Sequence, residues 1–150
     1  MNVVPVKTRV FKEGEDLIAF ITAHIPTLSE GAVLAVTSKI VALAEGRTAT
    51  PKDQKEKEDL IRAESEWAQP TKYVMLTLKD GMAMANAGID DSNGNDKLVL
   101  LPKDSFKAAA ILCEELKRVY KIEKLGVIIT DSRVTPLRAG IVGVALGYAG

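Results

Sequence analysis

The chain has 150 residues, enough for one domain with a real core. Twenty lysines and arginines balance twenty aspartates and glutamates, so no basic footprint for nucleic acid or an anionic membrane is present. Cys113 is the only cysteine and His24 the only histidine, which excludes an intrachain disulfide, classical zinc sites and Ser-His-Asp or Cys-His machinery within one chain.

Chemistry therefore falls to carboxylates, hydroxyls, amides, lysines, arginines and a hard metal ion. The apolar runs are shorter than a bilayer span. The opening MNVVPVKTRVFKEGEDL lacks the charged head and continuous apolar core of a signal peptide. With one cysteine, a reducing cytoplasm is the expected setting.

In chain order, Val3 to Phe11 is apolar and β-branched enough for a first strand. EGEDLIAFITAHIP follows, with Leu17, Phe20, Ile21 and Ile25 at helical spacing and Pro26 as its close. His24 falls late in this helix, as a half-buried face residue or a partner of the helix dipole. AVLAVT, residues 32–37, suits a buried strand. SKIVALAEGR then gives a short helix with Gly46 as its stop. The charged stretch PKDQKEKEDLIRAESEW reads as a helix with a solvated face, and Trp67 after it as a packing anchor.

Lys72 to Lys79 and Met82 to Ala87 alternate as strands around a turn at Gly81. The polar loop GIDDSNGND, residues 88–96, separates them from the strand KLVLLP. DSFKAAAILCEELKRVYK is the strongest helix, capped by Asp104 or Ser105. Its predicted apolar stripe is Phe106, Ala109, Ala110, Cys113, Leu116 and Tyr120. KLGVIIT has no polar alternation and predicts a strand buried on both faces, ending at Asp131-Ser132. The tail AGIVGVALGYAG is small and apolar, and its glycines suit close backbone packing. Several strands adjoin without helices between them. The whole predicts a single α/β (α+β) domain over residues 1–150, with a mixed sheet and flanking helices.

Two short segments carry the candidate chemistry. Asp90, Asp91, Ser92 and Asn93 offer oxygen atoms on one turn, and hard cations such as Mg2+ and Mn2+ take oxygen ligands. The competing reading is an Asx-rich turn whose side chains satisfy their own backbone. Asp131 and Ser132 follow a buried strand, where α/β folds commonly place ligands. If the two segments meet, their carboxylates can bridge metal to a triphosphate. Ser38 and Lys39 sit where a strand turns into a helix. They read either as a phosphate contact or as an ordinary cap with a surface lysine. Arg133 and Arg138 suit carboxylate or phosphate contacts, or a surface loop. There is no P-loop, no dinucleotide fingerprint and no EF-hand pattern.

TSKIVALAEGR, MANAGIDDSN, KLVLLPKDSF and GVIITDSRVTPLRAGIVGVALG stand in the order and spacing of the coenzyme F-420-0:gamma-glutamyl ligase family. The resemblance covers the chain from KEGEDL onward and is far more specific than any single motif. It implies a gamma-glutamyl ligase-like mixed α/β fold and a cytoplasmic homodimer. It also implies a GTP-dependent ligase that joins L-glutamate to a carboxylate acceptor with Mg2+ or Mn2+. By similarity Asp90, Asp131 and Ser132 are metal ligands, and Ser38 and Asn93 nucleotide contacts, with Lys39 beside Ser38. Leu43 stands where the family commonly has a lysine that meets nucleotide. VKTRVF replaces a proline-bearing segment, and VTP a Gly-Arg pair after Asp131. Family members also continue beyond this ending, into a part that supplies further metal and nucleotide contacts. These departures leave a second reading: a ligase-like module that binds metal or nucleotide without turnover, or a glutamate ligase with a different acceptor.

Overall fold

The computed structural model describes residues 2–92, 97–134 and 137–150. The elements in order are α1 (Leu17–His24), β1 (Ala32–Thr37), α2 (Ser38–Ala44), β2 (Thr48–Ala49), α3 (Gln54–Ala63), β3 (Trp67–Pro70), β4 (Met75–Lys79) and β5 (Met82–Ala85). After a 3-10 turn at Asn86–Gly88 come β6 (Leu98–Val99), α4 (Ser105–Tyr120), β7 (Leu125–Arg133) and β8 (Val142–Ala149). The class is mixed α/β with flanking helices, as the sequence predicts. The chain divides into two compact units. One comprises Met1–Gly46, Pro102–Asp131 and Ala145–Gly150, the other Arg47–Leu101 and Ser132–Val144.

The first unit is built around β7. β1 pairs with it in parallel, from Ala32 opposite Leu125 to Thr37 opposite Thr130, and β8 flanks its other side. Leu125, Val127 and Ile129 are buried while the residues between them are only half-covered, so one face of β7 meets the core rather than both. Glu30 sets the entry to β7. Its carboxylate accepts the Glu123 and Lys124 amides at 2.8 Å each, and these bonds hold its pKa below the ordinary carboxylate value. α4 begins at Asp104, whose carboxylate accepts the Lys107 amide at 2.9 Å. Its buried stripe is Ala109, Leu112, Cys113 and Leu116. The expected stripe included Phe106 and Ala110, but both are exposed, and Phe106 instead meets Tyr148 edge-on at 5.2 Å. Leu112 takes the inward position, one turn above Ala108–Ala109, because 3.6-residue periodicity carries the stripe round the helix. Cys113 is core, its thiol donating to the Leu125 carbonyl at 3.2 Å. Gly147 lets β8 approach the start of α4: a Cβ there would lie 2.4 Å from the Ser105 carbonyl.

The expected strand over Val3–Phe11 does not form. Residues 2–10 are exposed and pair with no sheet, and Pro5 removes a donor that a ladder would need. Only Phe11 is buried, edge-on against Phe20 with ring centroids 4.9 Å apart. Phe20 and Ile21 are the buried face of α1, which Asp16 caps through the Ala19 amide. His24 is half-buried in the last turn of α1. Its Nδ1 lies 2.7 Å from the Phe20 carbonyl, and the Arg9 amide lies 3.4 Å from its Nε2.

The second unit carries the antiparallel sheet β3-β4-β5 and the small pair β2-β6. Asp80 and Gly81, with φ of 51° and 70°, make the tight turn between β4 and β5. Ile61 of α3, Met75 of β4 and Ala87 form its core, with Ala68 and Ile89 packed against them. β3 was not foreseen as a strand. Trp67 stands on the open face of that sheet, opposite Leu78 and 46% exposed, so it is not the packing anchor the sequence suggests. Beneath, Glu64 accepts from Arg47 at 2.5 Å and from Lys79 at 2.8 Å. Burial alone would raise the Glu64 pKa, but the hydrogen bonds and charges of Lys79 and Arg47 outweigh it and hold the carboxyl below its ordinary value.

Candidate functional site

In the first unit β1 runs straight into α2. Thr37 is the N-cap of α2 by backbone geometry but makes no side-chain cap bond. Ser38 is therefore the first helical residue and not the cap. The residue is 4% exposed, and its hydroxyl donates to Asp131 Oδ1 at 3.3 Å, a long bond for two oxygens. Two residues that sequence assigned to different ligands, one to nucleotide and one to metal, are thus brought together. They meet where the parallel pair β1-β7 ends, the position at which α/β proteins commonly bind ligands. Asp131 is half-buried and continues the face of β7 that carries Val127 and Ile129. Ser132, next along the strand, is exposed and projects from the opposite face, by the alternation of a strand. Lys39 follows Ser38 on α2 and is half-buried.

In the second unit residues 88–92, GIDDS, are held by backbone and side chain alike. Asp90 exchanges both backbone hydrogen bonds with Val99, at 2.8 and 2.9 Å. The Asp90 Oδ1 accepts the Ser92 amide at 2.8 Å, the Asx turn that the bland reading of the loop expects. Such a turn fixes the direction of the carboxylate and is compatible with a second role. Asp91 pairs with Lys57 of α3 at 2.9 Å, leaving Asp90 as the inner of the two adjacent acids. Asn93 and the rest of the loop to Asp96 lie outside the described residues. Arg133 is buried, with Nη1 3.3 Å from the Met82 sulfur, so of its two sequence readings the surface loop does not hold; Arg138 is exposed.

Sequence reasoning missed two residues that fix this segment. Lys57 gave no signal, being one of many charges on α3. Thr77 did give one: it is a polar residue at an inward position of the β4 alternation, beside buried Met75. Leu43, the position where a nucleotide-contacting lysine was expected, is half-buried on α2, and its carbonyl accepts the Gly14 amide at 3.0 Å.

Asp90, Asp131 and the hydroxyls of Ser38 and Ser132 are hard oxygen donors, the kind that Mg2+ and Mn2+ take. Among the described residues no three His, Cys, Asp or Glu side chains gather as a metal cluster. A magnesium-type ion does not need one, since it is commonly held by one or two carboxylates plus water and substrate phosphate. Each of these groups, taken within its own unit, is a donor of the chemical kind such an ion accepts. Among the described residues no helix is long and apolar enough to cross a membrane.

A parallel strand pair that ends at a serine-bonded aspartate, within a mixed sheet flanked by helices, defines a ligase-like α/β protein. The chain belongs to the F420-0:Gamma-glutamyl ligase family, whose model matches residues 5–150. It is 34% identical to a curated protein of Methanopyrus kandleri, Coenzyme F420:L-glutamate ligase, over 98% of this chain and 65% of that protein. A protein of the same name from Halobacterium salinarum is 34% identical over 91% of this chain and 61% of its own length. One from Methanocaldococcus jannaschii is 26% identical over 100% of this chain and 67% of its own length. The chain thus spans less than two thirds of the first two relatives.

Proposed function

We propose that this protein takes part in forming an amide bond between L-glutamate and a carboxylate acceptor of the coenzyme F-420-0 type, with GTP and Mg2+ or Mn2+. The family match over residues 5–150 carries the reading. The hydrogen bond between Ser38 and Asp131 supports it, because it joins a hydroxyl and a carboxylate at a strand end.

The chemistry runs in two steps. The terminal phosphoryl group of GTP passes to an oxygen of the acceptor carboxylate, giving an acyl phosphate and GDP. The neutral amine of glutamate then attacks the acyl carbon, the C–O bond to phosphate breaks, phosphate leaves, and the nitrogen gives up a proton. When bound, a divalent ion neutralises phosphate charge in both steps. By resemblance to the family, Asp90, Asp131 and Ser132 would each offer an oxygen to a divalent ion, and Ser38, Lys39 and Asn93 would contact the nucleotide. Ser38 also sets Asp131, since its hydroxyl hydrogen points to that carboxylate. The working form is a homodimer.

The test is incubation with GTP, Mn2+, L-glutamate and the F-420-0 precursor. Release of GDP and a mass gain of one glutamate on the acceptor are expected. Nucleotide binding with no product would point instead to a module that binds without turnover. Product from a different carboxylate would keep the reaction and change the acceptor. Failure to bind either metal or nucleotide would overturn the proposal.

A further inference from the structure

The Asp90 segment is entered through an unusual piece of backbone. Asn86, Ala87 and Gly88 are three consecutive residues with positive φ, at 52°, 55° and 71°. Glycine adopts this region freely, but for an L side chain it costs roughly 1–2 kcal/mol per residue, somewhat less for asparagine. Such a turn persists only where its surroundings over-determine it.

Those surroundings can be named. Thr77 of β4 is fully buried. Its hydroxyl donates to the Met84 carbonyl at 2.8 Å and accepts the Ala87 amide at 2.9 Å, so one side chain serves as donor and acceptor at once. The Asn86 side-chain oxygen accepts the Met75 amide at 3.0 Å, tying the turn to β4 a second time. The Ala87 methyl is buried in the cluster of Ile61 and Met75. The turn closes through the Ile89 amide on the Asn86 carbonyl at 3.0 Å, and the next residue is Asp90, clamped to Val99. Gly88 must pass close to Leu101, where a Cβ would meet the Cδ1 at 2.7 Å. Thr77 thus holds Ala87, three residues before Asp90, in the turn that delivers the chain to the Asp90–Val99 backbone pair.

We propose that Thr77 is a positioning residue for Asp90, holding the left-handed turn that sets where the Asp90–Ser92 Asx turn stands to meet a divalent cation. This rests on the reading of Asp90 as a metal-holding group. Without the Thr77 hydroxyl, the Ala87 amide is a buried donor lacking that acceptor, and the strained turn relaxes toward negative φ, carrying Asp90 with it. A purely structural threonine would lower stability and leave the metal affinity of the folded protein unchanged.

The experiment is Mn2+ titration by calorimetry, with thermal melts, on the wild-type chain and the variants Asp90→Asn, Thr77→Val and Thr77→Ser. Thr77→Val keeps shape and removes the hydroxyl; it should weaken Mn2+ binding by about tenfold, the lower end of what outer-shell changes do. Thr77→Ser keeps the hydroxyl and should restore wild-type affinity even if its melting temperature falls. Amide exchange at Ala87 should quicken in Thr77→Val and not in Thr77→Ser. If Asp90→Asn loses Mn2+ but Thr77→Val binds it as wild type, the positioning role is wrong and the reading of Asp90 stands. If Asp90→Asn itself binds Mn2+ normally, both fall. Should Thr77→Val not fold, Thr77→Val/Ala87→Gly removes the φ penalty, and its affinity is compared with Ala87→Gly alone; equal affinities overturn the proposal.

Discussion

The two units hold their candidate carboxylates by opposite means. Asp131 stands on a regular strand whose place is set by a parallel ladder with β1 and by Glu30 at its entry. Asp90 stands after three left-handed residues, one of them a buried alanine, kept in place by a buried hydroxyl and an amide. The first arrangement draws on the cooperative backbone of a sheet, so its geometry is spread over many bonds. The second depends on a few specific ones. The loop carboxylate should therefore be the more easily disturbed by single changes at a distance, and the strand carboxylate the more tolerant.

Breaking the first unit calls for a backbone clash. Gly147→Ala would place a Cβ 2.4 Å from the Ser105 carbonyl, where nothing flexible can yield. A loss of about 3 kcal/mol, at the upper end for overpacking, is expected in urea unfolding. A mild change there would mean that β8 and α4 separate readily.

The second unit should break through charge. Glu64 has a depressed pKa in the folded state, so its contribution is present above the unfolded carboxyl pKa and lost as pH falls through the lower, folded one. Glu64→Gln should cost about 2 kcal/mol at neutral pH, as expected for a half-buried carboxylate bonded to two cations. It should also flatten the acid side of the stability profile. An unchanged acid limb would show that Arg47 and Lys79 do not set the Glu64 pKa.

The smallest effect belongs to the ion pair of Lys57 and Asp91. Asp91 is largely exposed, so Asp91→Asn should cost less than about 1 kcal/mol in stability. A larger loss would make α3 a main support of residues 88–92 and weaken the case for Thr77.

Much of this architecture is legible in the sequence. Periodicity places α1 and α4, the glutamate and lysine pattern places α3, and the Asp104 cap marks the start of α4. The β4-β5 hairpin announces itself through Asp80-Gly81. What fails is whatever depends on a partner distant in sequence. Val3–Phe11 has strand composition, but no strand edge receives it, and composition cannot reveal that. Phe106 and Ala110 fit a helical stripe by spacing, yet which flank of the stripe is covered depends on what packs there. At the candidate site, residue types were readable and partnerships were not. Nothing in TSKIVAL says that the Ser38 hydroxyl turns to Asp131, 93 positions on, rather than to its own helix. The left-handed turn was hidden as well, because Asn-Ala-Gly carries only one residue that prefers positive φ.

Under the proposed function, Asp131 is kept for a divalent ion and not for folding. Mn2+ titration by calorimetry on Asp131→Asn, paired with its thermal melt, tests this directly, since asparagine keeps the shape and removes the charge. A fall in affinity of at least ~100-fold, beyond the range of outer-shell changes, is expected, with a melting temperature close to wild type. Unaltered Mn2+ binding, or a loss of fold that parallels the loss of metal, would contradict it.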